Sequence, residues 1–233
     1  MQSLVYLIPS VLEETATATI PHYIIDAVKN CQVIFAENER TARRFLKSIC
    51  KEIVIDDYEW FTIHKAENEV LSAFRQKIKE GKNIGIISEA GCPGIADPGQ
   101  ILIAAAQEMN ATIKPLVGPS SILLALMASG MNGQQFEFVG YLPIDNLERN
   151  KAITALETSS QKKNSTQIFI ETPYRNNQLI ETLLKTCKPS TRLCIAAELT
   201  GAGEFIKTRT VADWKKEKTD FHKKPVIFLL HAV

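Results

Sequence analysis

Short apolar runs of strand length alternate with amphipathic helical segments along almost the whole chain, and this alternation restricts the fold more than any other feature. The first two pairs are a strand over Leu4–Ile8 before a helix over Pro21–Asn30, and a strand over Gln32–Ala36 before a helix over Glu39–Ile49. Two strands joined through a helix run parallel, because the helix carries the chain back to the starting edge of the sheet. The sequence therefore predicts an α/β protein with mostly parallel or mixed sheets.

The same alternation continues to the last residues of the chain. The further predicted strands are Ile84–Ser88, Thr112–Leu116, Phe136–Gly140, Gln167–Glu171, Leu193–Glu198 and Val226–His231. The further predicted helices are His64–Glu80, Pro98–Met109, Ile122–Gly130, Leu147–Thr158 and Tyr174–Cys187, and the stretch around Trp214 is less regular and rich in β-forming residues. A length of 233 residues fits two α/β domains. We expect an N-terminal domain over residues 1–117 and a C-terminal domain over residues 118–233.

A glycine-rich loop follows the strand at Ile84–Ser88, where the chain reads IGIISEAGCPGIADPG. The loop is longer than the usual strand-to-helix connection of about 2 to 6 residues, and it contains Glu89 and Asp97 beside Gly91, Gly94 and Gly99. In open α/β sheets, ligands collect beyond the carboxyl ends of the strands. The loop predicts a ligand site; the alternative is a long turn whose glycines only permit positive φ. A second elbow, VGPSS at Val117–Ser121, fits either a ligand contact or simply a capped helix.

Charge and composition narrow the possible functions. The net charge is +1, so a nonspecific polyanion binder is not indicated, and the basic cluster from Arg40 to Lys51 is better interpreted as a solvated helix face than as a nucleic-acid contact. Five cysteines without a CxxC pair favour a reducing cytoplasm, and four scattered histidines predict no metal site. No run approaches the roughly 20 apolar residues of a membrane span, and the apolar N-terminal stretch lacks the cationic start of a signal peptide.

Five segments, in order, resemble those of one known family. SEAGCPGIADPG is similar to SDAGTPGISDPG, KPLVGPSSILLALMASG to PLPGPSALLAALSASG, FEFVGYLP to FLFVGFLP, IFIETPYR to VFYESPHR, and AAELT to ARELT. The chain thus resembles the tetrapyrrole methylase superfamily, the class III S-adenosylmethionine-dependent methyltransferases. It is most similar to the branch that methylates ribose 2′-hydroxyls in small-subunit ribosomal RNA.

The resemblance implies a two-domain α/β fold, a homodimer, a cofactor cleft between the domains, and ribosomal RNA or the small ribosomal subunit as partner. By this analogy S-adenosylmethionine contacts nine residues: Pro9, Glu89, Ala90, Gly91, Cys92, Ser121, Ile122, Thr172 and Leu199. The residues expected to position the acceptor and remove its proton are Glu37, Arg40, Glu171 and Arg175. Each of these four could instead form a structural ion pair.

Departures from the family pattern leave the acceptor open. Pro9 is followed by SVLEETATATIP, without the glycine of the PTPIGNLED loop of the RNA branch, and AENER replaces AEDTR. Glu89 and Cys92 replace an aspartate and a threonine. The alternatives are a methyltransferase for a tetrapyrrole or other small acceptor, and a cofactor-binding module without catalysis. Cys92 is not a predicted nucleophile, because no histidine lies near it in sequence and transfer from a sulfonium needs no covalent enzyme intermediate.

Overall fold

The computed structural model describes residues 3–63 and 67–232. Its backbone forms two compact units, Met1–Ser120 and Ser121–Val233. Each unit contains one five-stranded sheet. Among the described helices, none combines the length and the apolar character that crossing a membrane requires.

The first unit is a parallel sheet with helices on both faces. Its strands are β1 (Leu4–Ile8), β2 (Val33–Ala36), β3 (Glu59–Thr62), β4 (Ile84–Ile87) and β5 (Thr112–Pro115), in the order β3-β2-β4-β1-β5. Its helices are α1 (Ile24–Lys29), α2 (Glu39–Ile49), α3 (Glu67–Lys79) and α4 (Gln100–Glu108), with short 3₁₀ turns at Thr17–Thr19 and Ile55–Asp57. All four strand pairs are parallel. The sheet is buried on both faces, since one apolar cluster includes residues of α1 and α2 and the other includes residues of α3 and α4.

The order of these strands creates a switch point between β4 and β1. From β1 the chain passes to β2 on one side of the pair, whereas from β4 it passes to β5 on the other side. The connections that follow β1 and β4 therefore lead to strands on opposite sides of this pair. Open α/β sheets bind their ligands in the crevice at such a point.

The second unit is a mixed sheet. Its strands are β6 (Phe136–Tyr141), β7 (Thr166–Ile170), β8 (Arg192–Ala197), β9 (Phe205–Thr210) and β10 (Val226–His231), in the order β6-β7-β10-β8-β9. Its helices are α5 (Ser121–Ser129), α6 (Asn146–Lys163), α7 (Asn176–Thr186) and α8 (Val211–Trp214). Among the described strands of this unit, β6 and β7 pair in parallel, and the other pairs are antiparallel. Because β10 runs opposite to both β7 and β8, its amino end meets their carboxyl ends at one edge of the sheet.

The predicted α/β class is confirmed, with one parallel and one mixed sheet. The helix predicted from Pro21 begins only at Ile24, and α6 continues to Lys163, five residues beyond the predicted end at Thr158. The first three residues of the helix predicted over His64–Glu80 lie outside the described residues. Strand β3 was not predicted, because its four residues lack strict alternation and are only partly buried at the sheet edge. That residues 1–117 and 118–233 form separate domains stays a prediction.

Candidate functional site

The loops after β1, β4 and β5 are joined at the carboxyl edge of the parallel sheet. The Ser10 N–H donates to the Gly91 carbonyl at 2.8 Å, and the Gly91 N–H donates to the Ser10 carbonyl at 3.2 Å. The Ser10 hydroxyl also donates to the carbonyl of Ser88 at 2.7 Å. Gly118, after β5, packs so closely on Pro9 that an added Cβ would lie 2.2 Å from the proline Cβ. Predicted cofactor residues Pro9 and Gly91 are thereby brought into one joined structure.

Gly91 has a backbone conformation that suits glycine, with φ of +70°. A Cβ there would meet Leu12 at 3.5 Å and the Pro119 carbonyl at 3.6 Å, which are ordinary contacts, so the requirement is conformational rather than steric. Within the described part of the chain, the N–H groups of Ala90 and Cys92 have no hydrogen-bond partner. Two free backbone donors beside a residue without a side chain suit the carboxylate of a small ligand.

Acidic side chains gather beside this loop. The Glu37 carboxylate, at the end of β2, accepts the N–H of Glu89 at 2.8 Å, and the Thr41 hydroxyl donates to the Glu89 carboxylate at 3.4 Å. Burial raises the pKa of Glu37 above its ordinary value. Burial, followed by the charges of Glu37 and Glu89, raises the pKa of Asp97 to about 7. Asp97 was noted in the loop but not assigned to the site, because its proximity to Glu37 arises only in the folded sheet.

Arg40 lies in the first turn of α2, which Asn38 caps by accepting the N–H groups of Arg40 and Thr41. The Arg40 side chain is exposed, and in residues 3–63 and 67–232 it has no ion pair or hydrogen bond. The structure therefore does not pair it with Glu37, whose carboxylate bonds the Glu89 backbone instead. A free guanidinium at this position can contact an anionic ligand.

Cys92 is half-buried, and its thiol lies 3.6 Å from the Pro119 carbonyl. Burial, followed by the charge of Asp97, raises the pKa of this thiol, so it stays protonated near neutral pH. All five cysteines are free. Among the described residues, no group of three or more His, Cys, Asp or Glu side chains could hold a metal ion.

A cavity of about 240 Å³ opens beside the glycine-rich loop. Its walls come from the loop after β1, from α2 and from the start of the loop after β4. The lining residues include Ser10, Leu12, Thr41, Arg44, Glu89 and Ala90. Larger grooves of about 700 and 360 Å³ run along α6 and between α6 and α7, but no predicted site residue lines either of them.

At the edge of the mixed sheet, Glu171 and Arg175 form an ion pair of 2.6 Å where β7 leads into α7. The Glu171 side chain is only 1% exposed and also accepts the N–H of Thr172 at 2.6 Å. Its second oxygen, Oε2, is buried without a partner among the described atoms. This ion pair agrees with the structural interpretation of Glu171 and Arg175. Glu171 Oε2 takes no part in it.

Leu199 lies at the same sheet edge, after β8, and is buried. It stands between two non-glycine residues in the left-handed region, Glu198 with φ of +51° and Thr200 with φ of +69°. Such strained backbone gathers at functional sites. No local sequence pattern indicates this turn, because these residue types rarely adopt it. Ser121 and Ile122 begin α5 and are half-buried.

A parallel sheet whose carboxyl edge carries a glycine-rich loop at the switch point defines an α/β protein with a small-ligand site there. The chain belongs to the tetrapyrrole (corrin/porphyrin) methylase family, whose model matches residues 22–214. It is accordingly an S-adenosylmethionine-dependent methyltransferase, which confirms the predicted family and enzyme class.

Curated relatives match the chain over nearly its whole length. It is 29% identical over 230 residues to the ribosomal RNA small subunit methyltransferase I of Buchnera aphidicola subsp. Schizaphis graminum, covering 97% of this chain and 77% of that protein. It is 27% identical over 233 residues to the protein of the same name in Escherichia coli O157:H7, covering 98% and 78%.

Solved structures show the same fold at low sequence identity. The methyltransferase CobJ aligns with a TM-score of 0.66 at 15% identity, over 100% of this chain and 95% of that one. The uroporphyrin-III-C-methyltransferase from Thermus thermophilus aligns with a TM-score of 0.57 at 16% identity, over 99% and 93%. At such identities, the likeness establishes the fold alone.

Proposed function

We propose that the protein transfers a methyl group from S-adenosylmethionine to a ribose 2′-hydroxyl of small-subunit ribosomal RNA. The observation that carries this proposal is that two relatives named ribosomal RNA small subunit methyltransferase I match nearly the whole of this chain. The choice of the 2′-hydroxyl is supported by the five motif segments that resemble the ribose-methylating branch. We place this activity in the cytoplasm, where such RNA is found.

The methionine part of the cofactor is assigned to Ala90, Gly91 and Cys92. The free N–H groups of Ala90 and Cys92 and the left-handed Gly91 suit its carboxylate, and the Glu89 carboxylate suits its ammonium group. The remaining predicted cofactor contacts are Pro9, Ser121, Ile122, Thr172 and Leu199. When bound, S-adenosylmethionine supplies a methyl group on a sulfonium, which is both the electrophile and the leaving group.

The protein must align the acceptor oxygen with that methyl group and accept the hydroxyl proton. Glu37 and Asp97 are suited to accept the proton, because both pKa values are raised and that of Asp97 is about 7. Arg40 is assigned to an RNA phosphate, since its guanidinium is exposed and unpaired among the described residues. The Glu171–Arg175 pair is assigned to holding the acceptor in position.

The test is transfer of labelled methyl to purified small ribosomal subunits, followed by nucleoside analysis for 2′-O-methylation. Arg40→Ala should lower transfer at unchanged cofactor affinity, whereas Lys47→Ala on the same helix should not. No label in any ribosomal substrate would overturn the proposal. Label in a tetrapyrrole precursor would favour the small-acceptor alternative, and cofactor binding without any transfer would favour a binding module.

We also propose that the protein is a homodimer. The second unit exposes several large apolar side chains: Leu123 and Met127 on α5, and Phe136, Tyr141 and Ile144 on β6 and the loop that follows it. Exposed apolar surface of this extent is typical of protein interfaces. Sedimentation equilibrium should give twice the 26.0 kDa chain mass, and a monomer at all concentrations would contradict the proposal.

A further inference from the structure

An exposed aromatic ring lies beside two cationic or ionisable side chains, next to the Glu171–Arg175 pair. Tyr174 is 69% exposed. Its ring centroid is 5.8 Å from that of His222, with the rings at 73°, and the Lys223 ammonium lies 5.9 Å from the centre of the tyrosine ring. We call Tyr174, His222 and Lys223 the Tyr174 cluster. The methyl-transfer assignments above do not use it.

The loop before β10 that carries His222 and Lys223 is held in place by two asparagines. Asn176, which is fully buried, donates to the carbonyls of Phe221 at 3.1 Å and Lys224 at 2.8 Å. Asn177 donates to the Asp220 carboxylate at 2.7 Å and accepts the Phe221 N–H at 2.9 Å. These bonds fix the backbone on both sides of His222 and Lys223, so the cluster is ordered before any ligand arrives.

The backbone places Lys223 at a conformational cost. Its φ is +63°, a region that favours glycine and asparagine, and its N–H donates to the Pro173 carbonyl at 2.9 Å. The neighbouring cations Arg175 and Lys224 are each neutralised, by Glu171 and Glu198 respectively. Lys223 forms no ion pair with any described carboxylate. Strained backbone that presents an unpaired cation over an exposed aromatic ring points to a binding role.

We propose that the Tyr174 cluster binds an unpaired base of the RNA acceptor by stacking, with Lys223 beside the adjoining phosphate. Single-stranded RNA is recognised through aromatic side chains on which splayed-out bases stack, aided by nearby cations. Because Glu171 and Glu198 neutralise the neighbouring cations Arg175 and Lys224, Lys223 alone adds a net positive charge at the cluster. Stacking on Tyr174 therefore supplies most of the affinity. This inference rests on the proposed function, because it takes RNA as the acceptor and locates its contact beside Glu171.

The experiment measures binding of a labelled, short, unstructured single-stranded RNA to the full chain by fluorescence anisotropy. Tyr174→Leu should weaken binding about tenfold, and Tyr174→Phe should bind like the wild type because the ring is retained. Lys223→Asn tolerates the left-handed backbone and should reduce the slope of log affinity against log salt by about 0.7. Leu147→Ala, which removes another exposed apolar side chain of the same unit, is the matched control and should change nothing.

Several results would overturn the inference: no RNA binding by the wild type, unchanged binding by Tyr174→Leu, or equal weakening by Leu147→Ala. Cofactor affinity and circular dichroism identify a variant that fails to fold, and Tyr174→Phe then decides whether the ring is needed. If Tyr174→Leu methylates ribosomal subunits with the wild-type KM, this inference fails while the proposed function stands. If RNA binding depends on Tyr174 but ribosomal RNA receives no methyl group, the proposed function fails while the RNA contact stands.

Discussion

Gly91 adopts a left-handed backbone where the loop after β4 pairs with Ser10. Gly91→Ala should lower the free energy of unfolding by about 1 kcal/mol, because the added Cβ is strained by the positive φ although it meets only ordinary contacts. Cofactor affinity should fall with it. Urea unfolding and calorimetric titration with S-adenosylmethionine measure both effects. Gly133→Ala is the control, since a Cβ there meets no atom within 4 Å; equal effects of the two changes would contradict the prediction.

Asp97 makes the stability of the protein depend on pH. Its pKa is raised to about 7 in the folded state by burial and then by Glu37 and Glu89, whereas an unfolded aspartate has a pKa of about 3.9. Between these values the folded state binds more protons than the unfolded state, so the stabilising contribution of the protonated form is lost as the pH rises towards 7. Stability should fall across this window.

Asp97→Asn should remove most of this pH dependence. The variant should gain stability relative to the wild type between about pH 4 and about pH 7, as measured by urea unfolding across the range. Some dependence should remain, because the pKa of Glu37 is shifted in the same direction. The exposed Asp26→Asn provides the baseline. Parallel stability curves for the wild type and Asp97→Asn would refute the prediction.

At the scale of elements, the loops after β1 and β5 are joined through Gly118 and Pro9. An alanine Cβ at position 118 would lie 2.2 Å from the proline Cβ and 2.4 Å from its Cγ, and the proline ring cannot rotate away. Gly118→Ala should therefore cost about 1 to 3 kcal/mol of unfolding free energy, as overpacking does, and should weaken cofactor binding. Chemical denaturation and calorimetry measure the two effects, and wild-type values in both would refute the close packing.

Most elements could be predicted from local pattern, and the exceptions have physical causes. Helix α2 was predicted with its observed bounds, because Asn38 caps it and its apolar residues recur at helical spacing. The last turns of α6 were missed, since their residues are polar and carry no apolar periodicity. Strand β3 forms because it pairs with β2, and local sequence pattern does not predict such a contact between distant segments.

For the whole molecule, each unit has apolar clusters of its own, which is the condition for independent folding. A fragment of residues 1–120 should unfold cooperatively and be more stable than one of residues 1–117. The longer fragment keeps Gly118 against Pro9 and retains the Pro119 carbonyl as a partner of the Cys92 thiol. Thermal unfolding by circular dichroism compares the fragments. Equal stability would place the domain boundary after residue 117, as predicted from the sequence.

The sequence by itself determined the α/β class and nearly all strands and helices, and it predicted the glycine-rich loop as a ligand site. These features are local, because the spacing of apolar residues and the residue types of turns depend only on residues that are close in sequence. Tertiary structure alone decided which side chains meet. The Glu37–Glu89 bond joins residues 52 apart in the chain, and Tyr174 meets Lys223 only because β10 starts where β7 ends. Strand order sets such contacts, and strand order is the result of long-range packing.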